Sequence, residues 1–196
     1  RGVRDTGGRV TLAIYECKKP VIGAINGAAV GIGATMTLAM DIRLAPEKAR
    51  IGFVFGKIGV VPEACSSWFL PRIVGIQQAL EWVYTGDILT AEQALTGKLV
   101  RSVHAPEDLM PAAYELARKF SQNKSPVAVA FARQMLYRNS AQPHPIEAHR
   151  IDSLAMFYTS LEDGKEGVSS FLEKRDPAYA SKASAMPAFY PWWNKA

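Results

Sequence analysis

Pro20-Val21-Ile22-Gly23-Ala24-Ile25-Asn26, followed at once by Gly27-Ala28-Ala29-Val30-Gly31-Ile32-Gly33-Ala34-Thr35, is the part of the chain from which the fold can be worked out. Residues 20 to 26 form an apolar run of the kind buried in a parallel sheet. Gly27, Gly31 and Gly33 then break it, and Met36, Thr37, Leu38, Ala39 and Met40 continue in helix-compatible residues. The pattern predicts a strand over 20–26, a tight turn, and a helix over 33–40. A helix that opens from such a turn presents backbone N–H groups without intrahelical acceptors and a partial positive charge. It therefore suits a phosphate, a carboxylate, or an oxyanion that develops only during reaction.

Working outward, residues 1 to 8 are polar and glycine-containing and read as a loop or linker. Val10, Leu12, Ala13 and Ile14 predict a short helix over 9–17, ended before Pro20, which disfavours helix at Lys19. Downstream, 42–45 and 49–53 read as short strands around Pro46-Glu47-Lys48. A strand or loop from Val60 leads into a helix with Glu63 near its N-terminus, and Ile76 to Tyr84 is amphipathic. Thr90 and Gln93 have the spacing of a capping box, and Leu99 to Val103 reads as a last strand. Beyond it the pattern is helical over 107–121, 126–138, 145–161 and 165–175, with breaks at Asn123, Pro143 and Gly164. An α/β beginning is thus followed by an all-helical part. The aromatic tail from Pro187 to Trp193 fits either a docking segment or a segment packed on its own body.

With 196 residues, 48% of them hydrophobic, the chain can bury a real core. A net charge of +5 suits an anionic small molecule as well as nucleic acid, but lysines and arginines are scattered and no nucleic-acid motif is present. No apolar run approaches the roughly 20 residues of a spanning helix, so no membrane partner is expected. Cys17 and Cys65 have no metal-ligand spacing, and His144 and His149 are spaced so that they do not share a helix face. No metal site is expected, and a reducing, cytoplasmic setting is the default.

Lys19-Pro20-Val21-Ile22, Asn26-Gly27, Gly31-Ile32-Gly33, Asp41-Ile42-Arg43-Leu44-Ala45, Gly59-Val60-Val61-Pro62-Glu63 with Leu70-Pro71-Arg72, Thr85-Gly86 and Phe171-Leu172-Glu173-Lys174-Arg175 follow one another in a familiar order and spacing. In these motifs the chain resembles the crotonase, or enoyl-CoA hydratase/isomerase, superfamily. The resemblance implies a core of repeated ββα units over 1–105, incomplete at its N-terminus. It implies a helical region over 106–196 that serves trimerisation and contact with CoA, the aromatic tail included, and assembly as trimers or pairs of trimers.

The implied substrate is an acyl-CoA thioester, with CoA part of that substrate and no separate cofactor. Such enzymes hold an enolate oxyanion between two backbone N–H groups. By position, one donor here is the N–H of Ile32, flanked by Gly31 and Gly33; the other comes from a loop that precedes Arg1 in the family. Phe171 and Lys174 occupy positions where the family's C-terminal helix meets CoA, Lys174 as a point charge for a phosphate. A solvated helix lysine is the alternative for Lys174.

Hydratases of the family carry two glutamates, in places that hold Thr35 and Phe55 here, and neither residue can activate water. Glu63 falls where double-bond isomerases of the family place an acidic residue, within the run Pro62-Glu63-Ala64-Cys65-Ser66-Ser67. One carboxylate is enough to lift a proton from one carbon and return it to another, moving a double bond from β,γ to α,β. The alternative is that Glu63 merely caps the following helix. Ser66 and Ser67 read as helix-start hydroxyls, and Arg43 and Arg72 as structural. Two rival functions stand beside the isomerase: a hydratase or lyase with a base from elsewhere, and a non-catalytic acyl-CoA-binding subunit.

Overall fold

Pro20 disfavours helix at Lys19, and in the computed structural model, which describes residue 2 and residues 4–194, helix α1 (Thr6–Tyr15) ends well before it, at a C-cap on Glu16. α1 starts earlier than its apolar residues suggest. Asp5 caps it by accepting from Gly8 N–H at 2.5 Å, which outweighs the poor helix propensity of Gly7 and Gly8. Arg1, Val3, Lys195 and Ala196, at the ends of the two expected regions, lie outside the described residues.

The apolar run contributes one strand, β1 (Ile22–Ala24), and the segment expected to turn contributes a second, β2 (Ala28–Val30). Ala28-Ala29-Val30 extends because it pairs in parallel with β4 (Arg50–Gly52), Ala28 opposite Arg50. Only at Gly31, with φ 58° and ψ −130°, does the chain turn into α2 (Ile32–Thr35), which tightens into a 3₁₀ turn over Met36–Ala39. A side chain at Gly31 would be strained.

The next pair repeats the plan. β3 (Ile42–Pro46) pairs in parallel with β1, β4 joins β2, and α3 (Ser66–Val74) follows. Each ββα repeat thus gives one strand to each of two sheets, ordered β1-β3-β6 and β2-β4-β5. α4 (Ile76–Thr85) leads to β5 (Ile88–Thr90), an antiparallel partner of β4 that the sequence pattern did not reveal. Thr90 then caps α5 (Ala91–Thr96) in the expected capping box with Gln93. β6 (Ser102–His104) begins later than the expected 99–103. Leu99 and Val100 tuck into the core, and the Leu99 carbonyl accepts from Arg43 Nε at 2.8 Å.

The remaining helices are α6 (Leu109–Ser121), α7 (Pro126–Asn139), α8 (Pro145–Leu161) and α9 (Asp163–Glu173). The expected break at Gly164 falls instead at Glu162. Asp163 is buried and accepts from Ser125 Oγ at 2.5 Å and Ser181 N–H at 3.3 Å, which fixes where α9 starts. Gly164 lies inside the helix, where a Cβ would come within 2.8 Å of the Thr159 carbonyl oxygen and glycine is the residue that fits.

The chain divides into two compact units, Arg1–Cys17 with Val21–Leu116, and Lys18–Pro20 with Ala117–Ala196. Within the first, Leu38, Leu44, Ile51, Phe53 and Leu70 are fully buried, and Phe53 stacks on Trp82. Within the second, Tyr190 of the aromatic tail joins Val127, Phe131 and Ala155, with Phe189, Trp192 and Trp193 packed around them. The tail packs on its own unit, as one of its two readings allowed. No helix among the described residues is long and apolar enough to cross a membrane.

Candidate active site

The first unit brings together the glycine turn, the segment around Glu63 and the first turn of α1. Ala34 and Thr35 N–H groups both go to the Gly31 carbonyl at 2.9 Å, which closes the first turn of α2. The N–H groups of Ile32 and Gly33 start the helix and have no intrahelical acceptor. A Cβ on Gly31 or Gly33 would meet nothing within 4 Å, so the backbone beside Ile32 N–H is open to close approach.

Glu63 is half-buried, and its carboxylate is not the cap of α3. That position belongs to Cys65, which makes no side-chain cap bond. Glu63 Oε1 instead accepts from Thr35 Oγ1 at 2.6 Å, across 28 residues of sequence. Oε2 faces α1, where a Cβ on Gly7 would stand 2.6 Å from it and 2.6 Å from Ile32 Cδ1. Only a glycine lets α1 lie this close to both predicted site residues.

The backbone beside the carboxylate is constrained. Ala64 and Cys65 both adopt left-handed conformations, φ 51° and 58°, which cost non-glycine residues on the order of 1–2 kcal/mol each. Asp5 ties this segment to α1: its Oδ1 accepts from Ala64 N–H at 3.2 Å as well as from Gly8 N–H. Burial, and secondarily the charges of Asp5 and Glu63, push the Cys65 thiol above its ordinary pKa.

Ile32, Gly31, Gly33 and Glu63 therefore belong to one unit, linked through Thr35. Phe171 and Lys174 belong to the other, Phe171 81% exposed in α9 and Lys174 at its left-handed C-cap. Arg43 and Arg72 serve the framework. Arg43 donates to the carbonyls of Thr37, Leu38, Met40 and Leu99, and Arg72 stacks on Trp68 and donates to its carbonyl. His144 caps α8, its Nδ1 accepting from Ile146 N–H, and among the described residues no group of His, Cys, Asp or Glu is arranged to hold a metal ion. Sequence reasoning missed Asp5, Gly7 and the role of Thr35 as a hydrogen-bond donor. The signal for Asp5 was its place before Thr6-Gly7-Gly8, an N-cap spacing; the other two depend on contacts distant in sequence.

The family model described as enoyl-CoA hydratase/isomerase matches residues 3–182. The chain is 45% identical over 179 residues to the enoyl-CoA hydratase AFT3-1 of Alternaria alternata, covering 90% of this chain and 60% of that protein. It is 35% identical over 173 residues to the 1,2-epoxyphenylacetyl-CoA isomerase of Escherichia coli, covering 86% of this chain and 64% of that one. Among solved structures, an enoyl-CoA hydratase from Bacillus anthracis superposes with a TM-score of 0.85 at 30% identity, covering 90% of this chain and 68% of the other. The chain thus spans somewhat under two thirds of the length of these curated relatives.

Proposed function

The chain belongs to the enoyl-CoA hydratase/isomerase family, and from that membership we propose that it forms the catalytic part of an acyl-CoA enzyme that shifts a double bond from β,γ to α,β. The thioester carbonyl oxygen, negative in the enolate, accepts from Ile32 N–H as one of two backbone donors. Such a preorganised donor is worth about 10²- to 10³-fold in rate. Glu63 removes a proton from the carbon next to the carbonyl. The C3–C4 double bond moves to C2–C3 as the same carboxyl returns the proton to C4, and the cycle consumes no electrons and no water.

The observation that carries this reading is the 2.6 Å bond from Thr35 to Glu63. Where a two-glutamate hydratase would carry its first carboxylate, this chain has a buried hydroxyl that donates to Glu63. Hydration is the second reading, favoured by the similarity to the Alternaria enoyl-CoA hydratase, and it needs a base from elsewhere in the protein.

CoA enters as part of the substrate: Gly31 and Gly33 flank the thioester, and Phe171 and Lys174 meet a CoA, in this family often that of a neighbouring subunit. The exposure of Phe171 supports that role. Assembly as a trimer or a pair of trimers completes the proposal, and its setting is a reducing cytoplasm, in which cysteines stay as thiols.

The test uses the full-length gene product. A 3-enoyl-CoA should be converted to its 2-enoyl isomer faster than crotonyl-CoA is hydrated, and Glu63→Gln should abolish the conversion while CoA binding persists. Faster hydration would transfer the assignment to the hydratase, full activity in Glu63→Gln would remove Glu63 from it, and tight acyl-CoA binding without turnover would leave a binding subunit.

A further inference from the structure

Accepting Glu63 as the acid/base, on which this inference rests, we propose that Thr35 is its positioning residue: the hydroxyl immobilises Oε1, so that Oε2 alone exchanges protons with substrate. Thr35 is fully buried. Two other buried threonines, Thr11 and Thr37, turn their hydroxyls back to carbonyls of their own helical segments, Gly7 at 3.2 Å and Ala34 at 2.7 Å. Helical threonines commonly do this. Thr35 instead reaches out of its helix to a carboxylate, at the short distance of a charge-assisted O–H···O bond. Its β-branched side chain is stiff, and its own N–H is tied to Gly31.

The turn that presents Ile32 N–H therefore also aims the carboxylate. Glu63 has a long side chain, and free in a site it would sample several rotamers; the backbone alone does not orient it. With Oε1 held by Thr35 and the carboxylate plane thereby fixed, Oε2 is the oxygen assigned to the chemistry. When the proton leaves C2 it bonds to Oε2, and Thr35 goes on donating to Oε1, now the carbonyl oxygen of the neutral acid. The O–H bond of Oε2 then breaks as the C4–H bond forms. The Thr35 proton never transfers.

Four proteins, measured as the full-length gene product on a 3-enoyl-CoA, test this: the parent, Thr35→Val, Thr35→Ser and Glu63→Gln. Thr35→Val keeps the shape and removes the donor. It should lower kcat about 10- to 100-fold, with KM within about twofold, as expected for a misplaced catalytic group. Thr35→Ser keeps the donor and loses a methyl group, and should retain a rate within about threefold of the parent. A parental kcat in Thr35→Val beside an inactive Glu63→Gln would overturn the role of Thr35 while leaving Glu63 in place. Equal losses in Thr35→Val and Thr35→Ser, or a loss confined to KM, would make Thr35 a packing residue and overturn the inference. Full activity in Glu63→Gln would overturn the reading beneath it.

Discussion

Gly7→Ala should separate stability from activity in this protein, on the proposed role of Glu63. The added Cβ would lie 2.6 Å from Glu63 Oε2, 2.6 Å from Ile32 Cδ1 and 3.1 Å from Ala64 Cβ. Ordinary contacts of this kind need roughly 3.4 Å or more, so Oε2 must retreat by about 0.8 Å. Two of the three crowded atoms end flexible side chains, Ile32 46% exposed, and the third, Ala64 Cβ, needs to give by only about 0.3 Å, so the fold accommodates the methyl group at about 0.5–1.5 kcal/mol. Replacing a helical glycine by alanine returns up to about 1 kcal/mol. The two nearly cancel, and Tm should move by no more than about 4 °C.

The carboxylate is not so tolerant. Oε1 is held at 2.6 Å by Thr35, so moving Oε2 either breaks that bond or rotates the carboxylate plane away from its target. A displacement near 1 Å at a reacting group costs on the order of 100-fold. The assay is thermal unfolding beside turnover of a 3-enoyl-CoA, the proposed substrate, on the same preparation. A kcat within threefold of the parent would refute the placement of Oε2 at the reacting carbon, and a Tm loss beyond about 8 °C would refute the claim that the crowded atoms yield cheaply.

Arg43→Met should destabilise the first unit by about 3–5 kcal/mol in chemical denaturation, because it leaves the carbonyls of Thr37, Met40 and Leu99 without their buried charged donor; a loss under 1 kcal/mol would contradict that role. Glu166 is held down to about 2, first by its hydrogen bonds from Arg175 and then by Ala178 N–H. Because the folded value is depressed, the stabilisation is present above the ordinary carboxylate value of 4.5 and is lost as pH falls from there toward about 2. NMR shifts of Ala178 N–H should titrate in that window and stay flat in Glu166→Gln. Cys65, its thiol raised chiefly by burial, should alkylate more slowly at neutral pH than an exposed thiol, and faster labelling would contradict the described environment.

Much of the fold was legible along the chain because it depends on neighbours. The apolar run, the three glycines and the capping box of Thr90 with Gln93 act over a few residues, and the ordered motifs led to the family without coordinates. β2 and β5 were hidden, since strands of three residues exist by virtue of their partners, here both on β4. The start of α9 was hidden for a like reason, since Asp163 answers to Ser125 and Ser181.

At the candidate site the same division holds. Sequence alone determined that residue 35 carries no carboxylate and that the turn at Gly31 offers backbone donors, because these follow from residue type and spacing; the part given to Glu63 was an expectation from the family resemblance. Tertiary structure alone decided what Glu63 does with its two oxygens. Oε1 is taken by a hydroxyl from the glycine-turn helix, and Oε2 is left against a glycine of α1. A hydrogen bond reaching 2.6 Å between residues 28 positions apart is a property of packing, which no local pattern encodes.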